Sequence, residues 1–404
     1  VRTYTYTAKN TAGGELVSSD VQAENEQAAA KLLMGQGLFP ITIDEQKEKG
    51  AGGSISFLNR VSTKDRVLFT RQLSTLINAG LPLIQSLRTA TEQVSNKTFQ
   101  EIMKKVIASV EGGSSLSAAF GEFPKVFNQI YVALVAAGET SGTLDKALER
   151  LANQQEKDAA IASKIRGALI YPFIVLGVVI AVVIFMLTTL LPQVSSLYKD
   201  LKKTLPISTR ILVSISNVIT HFWWLVIILL VGLGYGLMQY IKSEPGRYQW
   251  DGLKLHIPIF GPLFRKVYMA RFARTLSTLL ASGIPMLEGL AIVEKAVSNA
   301  VVAQAIQRII DKVRSGKALS ESILAEPSFI PLVGQMSKIG EESGALDDML
   351  GRVASFYESE VDTAVQNLST IIEPVLMVFL GLVVGGVIVA VLLPVYGLVG
   401  QGLN

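Results

Sequence analysis

Residues able to do chemistry are sparse in this chain, and spacing eliminates most of them. Gly316-Lys317 resembles the end of a phosphate-binding loop. Such a loop needs a Gly five residues before its second Gly, and a Ser or Thr after the Lys. Asp311 and Ala318 stand there instead, so nucleotide hydrolysis by that route is excluded. His221 and His256 are isolated and read as boundary or loop residues, not as ligands. Neither HExxH nor GxSxG occurs, and there is no cysteine to form a disulfide or a thiolate. No metal or cofactor is expected. Glu341-Glu342 and Asp347-Asp348 fall at a turn and a helix start, where the helix dipole favours carboxylates without catalysis.

One motif survives this filter. Gly-Glu-x-Ser-Gly-x-Leu-Asp occurs at 138–145 and again at 340–347. A helix-turn-helix junction explains its glycines and leucine: Gly138 and Gly142 would take special backbone angles, and Ser141 or Thr143 would cap the next helix. It explains the acids less well. Glu139, Asp145, Glu341 and Asp347 are therefore candidate contacts to a basic partner surface. Arg71 and Arg274 follow, because an Arg in each copy can hold carboxylates bidentately. An ion pair inside each bundle is an equal reading of those arginines.

The positions of these residues come from a duplication. Phe-Thr-Arg-Gln-Leu-Ser-Thr-Leu at Phe69 returns as Phe-Ala-Arg-Thr-Leu-Ser-Thr-Leu at Phe272, 203 residues on. The offset holds at Gly80/Gly283, Ser95-Asn96/Ser298-Asn299 and Gly113/Gly316, then becomes 202 through the acidic turn to Pro172/Pro374 and Pro192/Pro394. A match over roughly 125 residues is a repeated domain, not a solenoid of small units. Within each copy, apolar stripes at helical spacing are cut by Gly, Pro and Asn, which predicts about six short helices in an antiparallel bundle.

The chain is 50% hydrophobic and 17% charged, with mean hydropathy +0.41, more apolar than an ordinary soluble enzyme. Spans of about 20 apolar residues cross a bilayer, and they are expected at 168–191, 221–241 and 373–394. Phe222-Trp223-Trp224 opens the second as an interfacial belt. Gly232 and Gly236, with Gly234 between them, and Gly381 and Gly385 mark close helix packing in the second and third spans. Apart from His221 and Glu373 at their first positions, the spans carry no acid or base, which disfavours an ion or proton pathway and an intramembrane aspartyl peptidase. The remaining divisions are a small β-β-α-β domain (1–45), a flexible linker (46–62), the first bundle (63–166), an extracytoplasmic loop (192–220), a linker (242–268), the second bundle (269–370) and a short extracytoplasmic tail (395–404). Residues 1–7 lack the apolar core of a signal peptide, so the first domain is expected in the cytoplasm. The unpaired middle span returns the chain, which places both bundles on that side. Lys199, Lys202, Lys203 and Arg210 then run against the positive-inside rule, and parity is given more weight. The net charge of +4 suits anionic lipid better than nucleic acid.

The fold class expected is thus a mainly α membrane protein: two homologous cytoplasmic helical bundles, three transmembrane helices and a small α/β N-terminal domain. The duplicated Phe-x-Arg opening, the acidic turn in both copies, Ile372-Glu373-Pro374 and Leu393-Pro394-Val-Tyr, in this order, resemble the inner-membrane platform protein family of type IV pilus assembly and type II secretion systems. The run 354–362 and the glycine-rich last span look more like the pilus branch. The resemblance implies a non-enzymatic platform in the bacterial inner membrane. It would couple a cytoplasmic hexameric ATPase to extraction of pilin or pseudopilin subunits and to filament assembly, with a retraction ATPase as a further candidate partner. It implies contacts with other inner-membrane assembly proteins and lipid, and a homo-oligomer. A small-solute transport component and a passive membrane scaffold are the alternatives.

Overall fold

The computed structural model describes residues 2–10, 16–23, 26–35, 38–45, 61–200, 207–258 and 260–401. Linker residues 46–60, and Lys202 and Lys203, lie outside the described residues. Two units are present, 1–60 and 61–404.

In the first unit, strands β1 (Arg2–Asn10), β2 (Leu16–Ala23) and β3 (Leu38–Glu45) form a sheet ordered β2-β1-β3, accompanied by helix α1 (Glu26–Gly35). Both pairings are antiparallel, with Tyr6 opposite Ser19 and Ile43. The β1–β3 register slips between Thr7 and Ala8, beside Pro40. Proline has no N–H to give the ladder and is tolerated at such an irregularity.

The second unit is helical. The first copy holds α2 (Thr63–Asn78), α3 (Leu83–Glu92), α4 (Lys97–Glu111), α5 (Leu116–Gly121), α6 (Gln129–Ser141) and α7 (Leu144–Phe185). Ser62 and Asp65 form a capping box at α2, as the Ser-Thr-Lys-Asp signal predicts. Asn96 and Asn128 cap α4 and α6 through their side chains. Asn128 therefore opens the fifth helix of the bundle. Gly80, Gly113 and Gly142 turn the chain at positive φ of 81°, 93° and 69°, and Gly283, Gly316 and Gly344 repeat these angles within a degree.

The apolar run follows α7 without a break. A π-helical turn, Met186–Leu190, continues into α8 (Leu191–Asp200). Pro192 lacks the N–H that an α-helix needs, so a change of helical pitch just before it is physically reasonable. Ser216 Oγ donates to the Leu187 carbonyl at 2.6 Å and satisfies a group that the π turn disturbs.

Beyond this lie α9 (Ile207–His221), α10 (Trp223–Lys242) and α11 (Glu244–His256). Two expectations are corrected here. The 192–220 stretch is largely helical instead of a loop, and the 242–268 stretch is α11 plus the beginning of α12 instead of a linker. In α11 the buried Leu255 packs into the core, and the buried Asp251 accepts from the Ala300 backbone at 2.9 Å. Packing of that kind fixes a helix that its own short sequence would not.

The second copy comprises α12 (Phe260–Ala281), α13 (Met286–Ala296), α14 (Ala300–Arg314), α15 (Leu319–Leu324), α16 (Pro331–Ser343) and α17 (Leu346–Gln401). The bundle helix and the apolar span are one 56-residue element in α17. Among the described residues, three helices are long and apolar enough to cross a membrane: those containing 144–193, 224–242 and 346–389. The cores of both copies join in one apolar cluster, from Phe69 and Phe99 to Phe272 and Ile306.

Candidate partner-binding surface

The acidic turn is built by α6, α5 and the start of α7. Helix α6 ends at the left-handed Gly142, and the Thr143 amide donates back to the Gly138 carbonyl at 2.9 Å. Gly138 itself is helical. It is glycine for space: an added Cβ would stand 2.6 Å from the Ala147 Cβ. In the second copy a Cβ at Gly340 would stand 2.7 Å from the Leu346 Cα. Ser141 and Thr143 do not cap α7. Ser141 Oγ donates back to the Ala137 carbonyl, and Thr143 makes no side-chain cap.

Glu139 reaches across to the neighbouring short helix. Its carboxylate accepts from the Leu116 amide, from the Ser117 amide at 2.9 Å and from Ser117 Oγ at 2.5 Å. Glu341 accepts from the Leu319 amide at 2.6 Å and the Ser320 amide at 3.2 Å. The first amides of a helix have no intrahelical acceptor, and the dipole there favours a negative charge. Each glutamate thus completes the N-terminus of a six-residue helix, α5 or α15. Its surroundings inside the bundle account for it without a partner protein.

Asp145 and Asp347 differ. Each lies in the first turn of a long helix, α7 or α17, and is half-buried. Neither makes a side-chain hydrogen bond or ion pair among the described residues. They are the two acids of the six candidates left open to an outside contact.

Arg71 grips Glu156 bidentately, Nε to Oε1 and Nη2 to Oε2, both at 2.6 Å. Arg274 holds Glu358 in the same way at 2.8 and 3.0 Å. A third bond goes to Asn153 Oδ1 in the first copy and to Ser355 Oγ in the second. The hydrogen bond from Arg71 keeps the Glu156 carboxyl below its ordinary range, and Glu156 in turn raises the guanidinium. These are bonds within a bundle, tying its first helix to its last. Their partners were within reach of the sequence, because Glu156 and Glu358 are 202 residues apart, the offset of the second half of the repeat.

Sequence reasoning missed the joint between the copies. Gln154 Nε2 donates to Thr275 Oγ1 at 2.9 Å, and Thr278 Oγ1 donates to Gln154 Oε1 at 3.2 Å. Arg150 donates to the Ala281 carbonyl and to Ser282 Oγ. Lys164 pairs with Asp362 at 2.6 Å, and Arg271 with Asp158 at 3.5 Å. Burial raises the Asp158 carboxyl above its usual range; Arg271 opposes that rise and Glu358 adds to it. The repeat offers no signal for this joint: the counterpart of Gln154 is Phe356, and that of Thr275 is Gln72.

The span glycines have no close neighbour in this chain. A Cβ at Gly232, Gly236, Gly381 or Gly385 would meet nothing within 4 Å. No residue of the most apolar window of α10 is buried.

Comparison with known proteins agrees with this architecture. The family described as type II secretion system protein F matches twice, over 69–192 and 272–394, and its N-terminal domain matches over 2–44. The type IV pilus assembly protein PilC of Thermus thermophilus is 40% identical over 98% of each chain. PilC of Myxococcus xanthus is 37% identical over 96% of this chain and 94% of its own. The type II secretion system protein F of Pseudomonas aeruginosa is 34% identical over 94% of each. Together with three apolar helices, this makes the chain an inner-membrane protein of a pilus or secretion machine. With twice-matched bundles and full-length relatives of both kinds, the chain belongs to the family of type II secretion protein F and type IV pilus assembly protein PilC, with the pilus branch favoured.

Proposed function

We propose that this chain is the non-enzymatic platform of a type IV pilus assembly machine, passing the conformational work of a cytoplasmic hexameric ATPase to pilin subunits in the membrane. The observation that carries this reading is the continuity of α7 and α17. Each runs from a bundle into an apolar span as one helix, with Pro172 or Pro374 near the junction, so displacement of the bundle is passed to the span and not lost in a loop. The joint between the bundles supports their lying on one face of the membrane, since Gln154–Thr275 and Lys164–Asp362 must both form on the same side. The cytoplasm is that side, with three passes and a cytoplasmic N-terminus. The uncovered spans support a homo-oligomer or close association with other membrane subunits. Asp145 and Asp347 are the acids we assign to the ATPase or to a second protomer.

The test is co-purification in detergent of the full-length protein with the hexameric assembly ATPase of the same bacterium. Wild type is expected to retain the ATPase, and Asp145→Ala with Asp347→Ala to lose at least half of it while remaining folded. Retention of no ATPase by wild type, or nucleotide hydrolysis by the purified chain alone, overturns the coupling. Full retention by the double variant overturns the assignment of the two aspartates.

A further inference from the structure

We propose that the cleft between the two bundles, where they meet the membrane, is a binding site for one anionic phospholipid. The cleft has two connected parts. The first, of about 750 Å³, has a mixed lining with a basic excess: Lys64, Arg66, Arg166 and Arg271 line it against one carboxylate, Asp158. The second, of about 480 Å³, is an apolar groove that shares Ala162, Arg166, Arg271 and Ser298 with the first.

The cations are not all committed to the fold. Arg66 is, through Nη1 to the Val126 carbonyl at 2.8 Å and Nε to Gln155 at 3.3 Å. Arg166 and Lys64 are exposed and make no hydrogen bond or ion pair among the described residues. Arg271 Nε is buried against Asp158 Oδ1 at 3.5 Å, an ion pair without hydrogen-bond geometry. Four cations thus face one carboxylate across the cleft, and Lys64 and Arg166 are free to take the oxygens of a phosphodiester.

The groove supplies the rest of the ligand. Ile165, Leu169 and Phe173 recur every four residues along one face of α7, opposite Phe264 and Val267 of α12. Phe173 is 69% exposed and Val267 5%, so the groove is solid at its floor and uncovered where α7 becomes a span. Arg166 is the last charged residue before 32 uncharged ones, 167–198. That places its guanidinium at headgroup depth, with the groove leading toward the acyl chains. A basic pocket at the end of a span, continued by an apolar furrow, has the chemistry of an anionic lipid with its chain attached. Free phosphate would use only the first part.

The duplication shows that this is not a by-product of the repeated fold. The counterparts of Arg166, Arg271 and Arg66 are Leu368, Leu68 and Met269. Leu368 and Met269 are buried there and Leu68 is exposed, so the other copy carries no charge at these three positions.

Native mass spectrometry of delipidated, full-length protein tests this by titration with dioleoylphosphatidylglycerol, dioleoylphosphatidylethanolamine or inorganic phosphate. Phosphatidylglycerol is expected to bind at one saturable site more tightly than phosphatidylethanolamine. Arg166→Gln should weaken phosphatidylglycerol about fivefold and leave phosphatidylethanolamine unchanged. Ala162→Trp, filling the passage between the two parts, should weaken it at least as much with every cation in place. Equal affinity for the two lipids, or no change in either variant, overturns the site. Displacement of the lipid by millimolar phosphate makes it a free-anion site and overturns the lipid assignment. Arg166 is exposed and unpaired, so its variant keeps the fold.

Discussion

The two copies of the bundle share their joints and differ in their fillings. Positive-φ glycines, glutamate caps and bidentate Arg–Glu pairs coincide almost atom for atom. The cores do not. In the first copy Phe69, Phe99, Phe120, Phe127 and Tyr131 form a ring cluster with centroids 4.3 to 6.2 Å apart. In the second, of that cluster's counterparts, Phe272 and Phe329 keep a pair at 4.9 Å, and Val302, Ile323 and Val333 replace Phe99, Phe120 and Tyr131. A core asks for volume and apolarity, which many residues provide. A turn or a cap asks for one conformation or one acceptor, which few do. The copies have therefore diverged where chemistry is permissive and held where it is not.

The most severe way to probe this contrast is to empty the two cores at the same place. Phe99→Ala should destabilise the full-length protein by about 3–5 kcal/mol in denaturant unfolding in detergent. Val302→Ala, at the equivalent position, should cost about 1–2 kcal/mol. Equal losses would mean that the aromatic cluster has no special weight.

A second contrast is polar. Glu326 is buried in the second copy and takes Arg308 at 2.7 Å and Lys312 at 3.0 Å; Phe123 stands at its place in the first. Burial would raise this carboxyl, but hydrogen bonds from Arg308 and Lys312 outweigh it and hold the group below its ordinary 4.5. A depressed carboxyl stabilises fully above its unfolded value and loses that contribution as pH falls through the folded one. Glu326→Ala should therefore cost about 1.5–3 kcal/mol at pH 7 and flatten the loss of stability below about pH 4.5. An unchanged acid limb in unfolding curves would refute this.

The smallest effect sharpens what the copies share. Glu139→Ala and Glu341→Ala should each cost about 1 kcal/mol, the value of a lost helix cap, and by the same amount. Glu139→Gln keeps an acceptor and should recover roughly half. Loss of function with unchanged stability would instead return these glutamates to a partner surface.

Much of the skeleton could be read from the residues in order. Gly142 turns at positive φ because glycine alone does so freely, and Ser62 with Asp65 announces α2 locally. The site was harder. Glu139 looked exposed because nothing near it in sequence shows that Leu116 and Ser117 lie beside it; they are 23 and 22 residues away. Gly138 was read for its backbone angle, whereas it is small because Ala147 passes close by. The 192–220 segment looked irregular because helices that short are held by tertiary contacts more than by propensity.

Turn chemistry, capping and hydropathy act within a few residues, so the amino-acid order alone established the duplication, its helices and three apolar spans. The contacts of Glu139, the grip of Arg71 on Glu156 and the bonding of Gln154 to Thr275 required the folded chain. Each depends on how a helix is rotated about its axis and which neighbour it meets, and packing over tens to hundreds of residues sets both.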